Sequence, residues 1–241
     1  MTADFDDQWQ HMMSPEFFQQ TKGQFEFDKK RVKEFLNITG FRWNHKKIIK
    51  NKKCLDVGCG PGRWTWAMQQ LKGIVSSIDI SEEAVKRCRI INPDCHKKDI
   101  FELVPNPVYD FVLAWGVLHH THNTQEAFSK VVTQVKKGGV FHIMVYNKEN
   151  DWAYDGFRGD NCVENHSLWE KLTWQEKIEK CNSKVREYGG DTHGWFDAFN
   201  PKYNWSHTKE EVKGWFEEEG FEKINIRMIK QNININGVKI S

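Results

Sequence analysis

What the chain has little of narrows it first. No apolar run approaches the ~18 residues of a membrane-crossing helix, so no membrane span is expected. The opening residues, MTADFDDQWQHMM, are polar and acidic. They lack a basic segment leading into an apolar one, which argues against a signal peptide. Neither sign of charge dominates: 35 Lys and Arg against 33 Asp and Glu leave +2, a balance that implies no polyanion partner. The basic run Lys46-Lys47, Lys50 and Lys52-Lys53 reads as a solvated face ahead of a buried strand. There is no internal repeat and no CxxC pair. The six cysteines, Cys54, Cys59, Cys88, Cys95, Cys162 and Cys181, read as reduced thiols of a cytoplasmic protein, with Cys54 and Cys88 at core positions. Cys88, Cys95 and His96 lack a second ligand pair at zinc spacing, so no metal is expected.

What is present is aromatic and periodic. The 241 residues are 39% hydrophobic, enough for one α/β domain with an insertion. Many of the eleven tryptophans and sixteen phenylalanines fall in residues 1–45 and 150–205, outside the regular pattern. Between them, strands alternate with helices. Strands are expected at Lys53–Val57, Gly73–Ile80, Cys95–Lys98, Asp110–Trp115 and Val140–Tyr146. Helices are expected at Gly62–Leu71, from the N-cap Ser81 to about Ile90, and at Thr124–Lys136, the last stopped by Gly138-Gly139. This rhythm implies a parallel sheet with helices on both faces. It breaks at residues 147–206. Thr208-Lys-Glu-Glu211 is then a capping box for a last helix that Gly220 ends. Glu222–Lys230 and Asn232–Ile240 read as antiparallel partners.

The chemistry concentrates in Leu55-Asp56-Val57-Gly58-Cys59-Gly60-Pro61-Gly62, between a strand and a helix. Glycines let the backbone bend and approach a ligand, and the helix start offers free N–H groups. Three acids sharpen this motif. Asp56 precedes the glycines, and its carboxylate can face an ammonium group directly or through water. Asp79 ends the next strand, where an acid binds ribose hydroxyls. Asp99 can accept from an adenine amino group while the Ile100 N–H donates to a ring nitrogen.

The segments LDVGCGPGRWT, SSIDIS, KKDIFEL, YDFVLAWGVLHHT and VKKGGVFHIMVY resemble, in order and spacing, motifs of class I S-adenosylmethionine-dependent methyltransferases. The likeness is to the branch that includes ubiquinone/menaquinone-type and many small-molecule enzymes. It covers residues 53–146 and, more loosely, 208–240. It implies a Rossmann-like seven-stranded, mostly parallel sheet with a C-terminal antiparallel strand pair, helices on both faces and a helical, aromatic lid. By the resemblance, Asp56, Gly58, Cys59, Gly60 and Gly62 hold the methionine end of S-adenosylmethionine, and Asp79 takes the ribose. Ile80, Asp99 and Ile100 take the adenine, and Ala114, Trp115 and Gly116 line the region near the sulfonium. Relatives acting on nucleobase or protein amide nitrogen carry Asn/Asp-Pro-Pro-Tyr where this chain has Ala114-Trp115-Gly116-Val117. That departure favours an O, C or amine N atom of a small molecule.

An O or C acceptor must lose a proton, and histidine suits that task near neutral pH. His119 and His120 follow the fourth strand, at the end where open α/β sheets bind ligands, and are the candidate catalytic residues. The insertion supplies Tyr154, Arg158, His193, Trp195, Tyr203 and His207 as acceptor-binding candidates; lids of this kind exclude water. Trp205 and Phe199 read more readily as packing. Trp9, Phe17, Phe18, Phe25 and Phe27 are expected to form a second cover. The chain thus divides into an N-terminal cover (1–45), a cofactor core (46–146), a lid (147–206) and a completing helix and strand pair (207–241). Other classes stay open. A nicotinamide-dependent oxidoreductase explains the glycines and Asp79, but not Asp56, Asp99 or the last strand pair. A non-catalytic protein needing a partner is another. For the acceptor, tRNA or protein is the alternative, and the neutral charge without a basic arm weighs against nucleic acid.

Overall fold

In the computed structural model, residues 27–240 are described, together with Phe5 and Trp9; Phe17, Phe18 and Phe25 of the expected N-terminal cover lie outside these. Asp28 starts the first helix, α1 (Lys29–Thr39), by accepting from the Lys30 and Arg31 N–H groups, and Gly40 ends it in the left-handed region. A single-turn helix, α2 (His45–Ile48), follows. The alternating core then reads β1 (Lys53–Val57), α3 (Arg63–Gln70), β2 (Ile74–Asp79), α4 (Glu82–Arg89), β3 (Cys95–Lys97), β4 (Tyr109–Trp115), α5 (Thr124–Val132) and β5 (Val135–Asn147). The insertion contributes α6 (Cys162–Trp169), α7 (Trp174–Tyr188) and α8 (Thr192–Phe199). The chain closes with β6 (Ser206–His207), α9 (Lys209–Glu218), β7 (Phe221–Ile229) and β8 (Asn232–Lys239).

The sheet order is β3-β2-β1-β4-β5-β8-β7. The first five strands run parallel, and β8 is antiparallel to both β5 and β7. The expected mostly parallel sheet with its antiparallel pair is therefore present. An eighth strand joins it: two-residue β6 pairs parallel with Tyr146 and Asn147 at the far end of β5. It was not legible because its partner is the overhang of β5 rather than a neighbour in sequence.

One boundary is corrected. The helix expected over Thr124–Lys136 stops at Val132, and Val135 already pairs with Tyr109. Val135 is apolar at helical spacing, but it is buried as part of a strand. Gly138-Gly139 do not stop a helix; they lie within β5 at a register shift against Tyr109 and Phe111. A side chain at Gly139 would come within 2.9 Å of the Tyr109 carbonyl oxygen, so glycine there permits close strand approach in a bulge.

The larger core packs α5 and α9 onto the sheet. Phe128, Phe141, Phe216 and Phe221 form its aromatic centre, with Phe128 and Phe216 ring centres 4.9 Å apart and Phe216 and Phe221 5.1 Å apart. On the opposite face α1 and α3 bury Phe35, Trp64 and Met68 against Phe111 and Leu113. The insertion has its own cluster, including Phe157, Trp169, Trp195, Phe196 and Phe199. It is tied back to the sheet through Trp205, whose backbone N–H donates to the His119 carbonyl (2.9 Å) and whose indole donates to the Thr121 carbonyl (3.0 Å). Trp205 and Phe199 are thus packing residues. His142 is fully buried in β5 beside Phe41. Among the described residues, no helix is long and apolar enough to cross a membrane.

The capping box at Thr208 forms as expected, with Thr208 and Glu211 satisfying each other's backbone N–H groups. Phe216→Ala is expected to lower the unfolding free energy by about 3–5 kcal/mol, and Thr208→Ala by about 1 kcal/mol. Urea melts followed by circular dichroism check both. Equal losses would show that the last helix depends on its cap as much as on its buried ring.

Candidate functional site

Strand β1 delivers the chain to the carboxyl edge of the sheet, beside the point where the strand order reverses between β1 and β4. Open α/β sheets bind ligands there. Gly58 turns with φ +66°, and a Cβ on it would lie 2.2 Å from a Val117 methyl carbon. Only bare backbone passes that point. Gly62 has φ +97° and caps α3 without a side-chain hydrogen bond, leaving the first backbone donors of the helix to a ligand.

The three acids hold distinct positions. Asp79 Oδ2 accepts from the Gly60 N–H at 2.8 Å, and its Oδ1 accepts from the Ser81 N–H at 2.9 Å. Burial pushes its carboxyl up to about 6, opposed by these N–H donors. Asp99 caps the turn Ile100–Glu102 through the Phe101 N–H (2.9 Å) and also lines a cavity with Asp79, Ile80, Ile100, Phe101 and Val117. Its capping and ligand roles are therefore compatible. Asp56 lies deeper. It is 1% exposed, accepts from the Thr65 hydroxyl at 2.7 Å and lines neither cavity. Burial pushes it up to about 7. It positions the loop from behind and does not face an ammonium group directly.

A larger cavity, of about 630 Å³, opens on the other side of the loop. Gly58, Cys59, Gly60, Arg63, Trp64, Trp115, Gly116 and Tyr146 form its floor, and Tyr154, Arg158, His193 and Trp195 come from the insertion. Those four acceptor candidates are brought together. Tyr203 and His207 are not, and their assignment is corrected. The Tyr203 carbonyl meets His120 Nδ1 at 3.1 Å. His207 Nε2 meets the Thr124 hydroxyl at 3.0 Å, with its ring packed on Trp215. Both segments pass outside the cavity as the chain returns to α9. Ala114 and Gly62 also stay behind the cavity walls, Ala114 fully buried within β4.

The two histidines differ. His119 is fully buried, its ring tilted against that of Tyr146 with centres 4.0 Å apart, and it lines neither of these cavities. His120 lines the smaller cavity. Burial holds both below the usual imidazole value, and for His120 the carboxylate of Asp197 opposes this. With Nδ1 against a backbone carbonyl, His120 is neutral with its proton on Nδ1. Its Nε2, which has no hydrogen-bond partner among the described residues, is left as an acceptor.

Two contributors escaped the sequence reading. Asp197, on α8, lines both cavities together with Trp9, Gly58 and Gly116. Phe5 lines the smaller cavity beside His120. No local motif marks either residue, because each arrives through tertiary contacts. Trp9 covers the loop, 3.1 Å from where a Gly60 Cβ would stand, while Phe27 stacks on Trp66 instead. The grouping of Cys88, Cys95 and His96, set aside as a metal site on the sequence, is not what the structure brings together. His96 is at the surface beside Asp94, and Cys59 replaces it, so that the sulfurs of Cys59, Cys88 and Cys95 lie within 4.8 Å of one another. Three sulfurs are one ligand short of a structural zinc set. All six cysteines are free thiols.

The methyltransferase domain family matches residues 26–226 of the chain. A ubiquinone biosynthesis O-methyltransferase of Thiobacillus denitrificans is 30% identical over 122 residues, which cover 47% of this chain and 53% of that protein. A tRNA U34 carboxymethyltransferase of Mannheimia succiniciproducens is 32% identical over 114 residues, covering 41% of this chain and 35% of that protein. The chain thus spans about half or less of the length of these curated relatives. The magnesium protoporphyrin IX methyltransferase of Synechocystis PCC 6803, solved with bound SAH, superposes with a TM-score of 0.58 at 14% identity, covering 99% of this chain and 97% of that one. At that identity the likeness is one of fold.

The raised carboxyl of Asp56 has a stability consequence. A folded-state value above the unfolded one stabilises the fold at low pH, and that contribution is lost as pH rises from about 4 to about 7. Asp56→Asn is expected to remove this decline, a difference on the order of 2–4 kcal/mol between the two proteins across that window. Thermal melts of both proteins from pH 4 to pH 8 read it, and parallel pH profiles would refute the assignment.

Proposed function

The chain belongs to the methyltransferase domain family, and from that premise we propose that it moves the methyl group of S-adenosylmethionine to an O, C or amine N atom of a small-molecule acceptor. The observation that carries this reading is the pair of adjoining cavities at the sheet's switch point, sharing Trp9, Gly58, Gly116 and Asp197. The residues fit the cofactor. Asp79 would take the ribose hydroxyls, and Ile80 and Ile100 the adenine faces. Asp99 would accept from the adenine amino group. The bare backbone at Gly58 and Gly60 would hold the methionine end, with Arg63 beside it for the carboxylate. When bound, the cofactor supplies a methyl group on sulfonium already activated for in-line displacement.

What the protein adds is position, dryness and a proton acceptor. His120 Nε2 is the base of choice: it is neutral and lines the smaller cavity beside Gly116 and Asp197, which border the larger cavity too, and Asp197 favours the charge it gains. Tyr146 is no alternative, since burial keeps its hydroxyl protonated. Residues 147–206 act as the acceptor-binding lid, and the N-terminal cover closes the loop through Trp9. A tRNA acceptor is the second reading, favoured by the carboxymethyltransferase relative. The aromatic-lined cavity and the net charge of +2 support the small molecule.

S-adenosylhomocysteine is expected to bind saturably in calorimetry, with NAD silent. Asp79→Ala should weaken it about 100-fold. Because a carboxylate accepts from ribose hydroxyls more strongly than the neutral acid does, and burial pushes Asp79 up to about 6, affinity should fall as pH drops below that value. NAD binding without an adenosylhomocysteine response would overturn the proposal. His120→Ala should lower turnover about 10²–10³-fold with any acceptor found by screening, measured at saturating cofactor so that a change in cofactor affinity does not enter. Unchanged turnover would remove His120 from the role of base.

A further inference from the structure

Among the described residues the buried cations other than histidine are Arg31, Arg158 and Lys184. Arg31 pairs with Glu34, and Lys184 pairs with Asp155 at 3.1 Å. Arg158, 6% exposed, has no carboxylate within ion-pair distance among the described residues, and its Nε has no hydrogen-bond partner. The acids nearest to it in sequence are engaged elsewhere, Asp160 with Lys148 and Asp155 with Lys180 and Lys184, while Asp151 feels the Arg158 charge but turns a carboxylate oxygen to the Ser206 hydroxyl. A guanidinium taken out of water without an anion is costly to the fold, and such a residue is retained where a ligand completes it.

Its geometry states which ligand. The Arg158 guanidinium carbon sits 3.2 Å from the Tyr146 ring centre and 3.4 Å from that of Tyr154. The two rings bracket the guanidinium, the Tyr146 hydroxyl takes part of its donor set, and the N–H edge that includes the unpartnered Nε is what remains. That edge is a planar, two-pronged donor suited to a carboxylate. The segment is held by backbone: the Gly159 N–H donates to the Asn204 carbonyl at 2.9 Å. Arg158 lines the large cavity whose remaining walls include Trp64, Trp115, Tyr188 and Trp195. We propose that the acceptor is a carboxylate on a flat, apolar body, its carboxylate read by Arg158 and its body held by these rings.

The proposal rests on the large cavity receiving the acceptor. The cofactor's own carboxylate does not account for Arg158. Arg63, which directly follows the glycine loop, also lines the cavity with no ion pair among the described residues, its guanidinium carbon 4.3 Å from the Trp64 ring centre and 5.0 Å from that of Trp115. One methionyl carboxylate serves one of these arginines, and Arg63 stands next to the loop.

The probe is benzoate, with uncharged methyl benzoate as its control, titrated by ligand-observed NMR into the protein with and without saturating S-adenosylhomocysteine. Wild type should prefer benzoate at least about tenfold, and Arg158→Met should bring the ratio to about one. Arg158→Met should leave methyl benzoate and adenosylhomocysteine affinities within about twofold. Arg158→Lys, which keeps the charge but loses the fork, should weaken benzoate by about fivefold and decides the matter if the Met variant does not fold. No preference in wild type, a preference retained in either variant at full strength, or adenosylhomocysteine weakened about tenfold by Arg158→Met would overturn the proposal, the last by assigning Arg158 to the cofactor. Adenosylhomocysteine binding without a benzoate preference sinks this inference alone. A benzoate preference without adenosylhomocysteine binding sinks the methyltransferase reading and leaves the anion site standing.

Discussion

The Gly60 N–H donates to the Asp79 carboxylate across 2.8 Å, and much of the molecule is arranged so that this contact can form. It joins the end of β1 to the end of β2, just beyond the last paired residues Val57 and Ile78. The Gly58 and Cys59 N–H groups both donate to the Ile78 carbonyl at 2.8 and 3.0 Å, so the loop is fastened to β2 three times within three residues. A loop held this way has little conformational freedom to lose on meeting a ligand. Its position is fixed from the other side by Val117, which leaves no room for a side chain at Gly58. The floor of the site is therefore set by backbone rather than by side chains.

Behind the loop lies a buried polar chain. Asn92 donates to the Val75 carbonyl and to the Ser77 hydroxyl, Ser77 meets Thr65, and Thr65 donates to Asp56. The Cys88 thiol donates to the Thr65 hydroxyl at 3.9 Å, and the neighbouring Cys59 and Cys95 thiols hold it below the usual thiol value. Buried polar groups of this kind are tolerated only when each finds a partner, and here each does. The chain runs from the outer edge of β2 to β1 and ties α3 and α4 to the strands whose ends carry the acids. Asp56 thus serves the site through packing and hydrogen bonds, which explains why an acid that reads as a ligand residue in the motif ends 1% exposed.

Local signals were legible in the sequence and long-range ones were not. Capping at Ser81 and Thr208, the glycine loop and the order of the parallel strands all follow from residues close in sequence, and the structure contains them. The bulge at Gly138-Gly139 was not legible, because a pair of glycines after an apolar helical run reads equally as a helix stop. Within the insertion, aromatic content marked the segment but did not say which rings face inward. Tyr154 and Trp195 reach the cavity, whereas Tyr203 and His207 are spent on β4's following turn and on α5 and α9. Asp197 carried no signal at all: it sits in an apolar stretch, and only the docking of α8 brings it to the junction of the two cavities.

The length of β5 links these parts. Its thirteen residues run past the end of β4, so that Tyr146 projects beyond the parallel sheet into the site. The return of the insertion as β6 pairs with this overhang at Tyr146 and Asn147. One ring then touches three functional candidates: His119 at 4.0 Å, His120 at 5.5 Å and Arg158 at 3.2 Å. Tyr146 titrates with none of them, since burial holds its hydroxyl protonated. Its contribution is a rigid surface that sets the histidine pair on one side and the guanidinium on the other. A strand ending at Trp115's level would leave the insertion to find the site through loops alone, and sites carried on strands are held more closely than sites on loops. The overhang is the structural reason that an insertion of variable-looking composition can present defined side chains to a cavity built by the sheet.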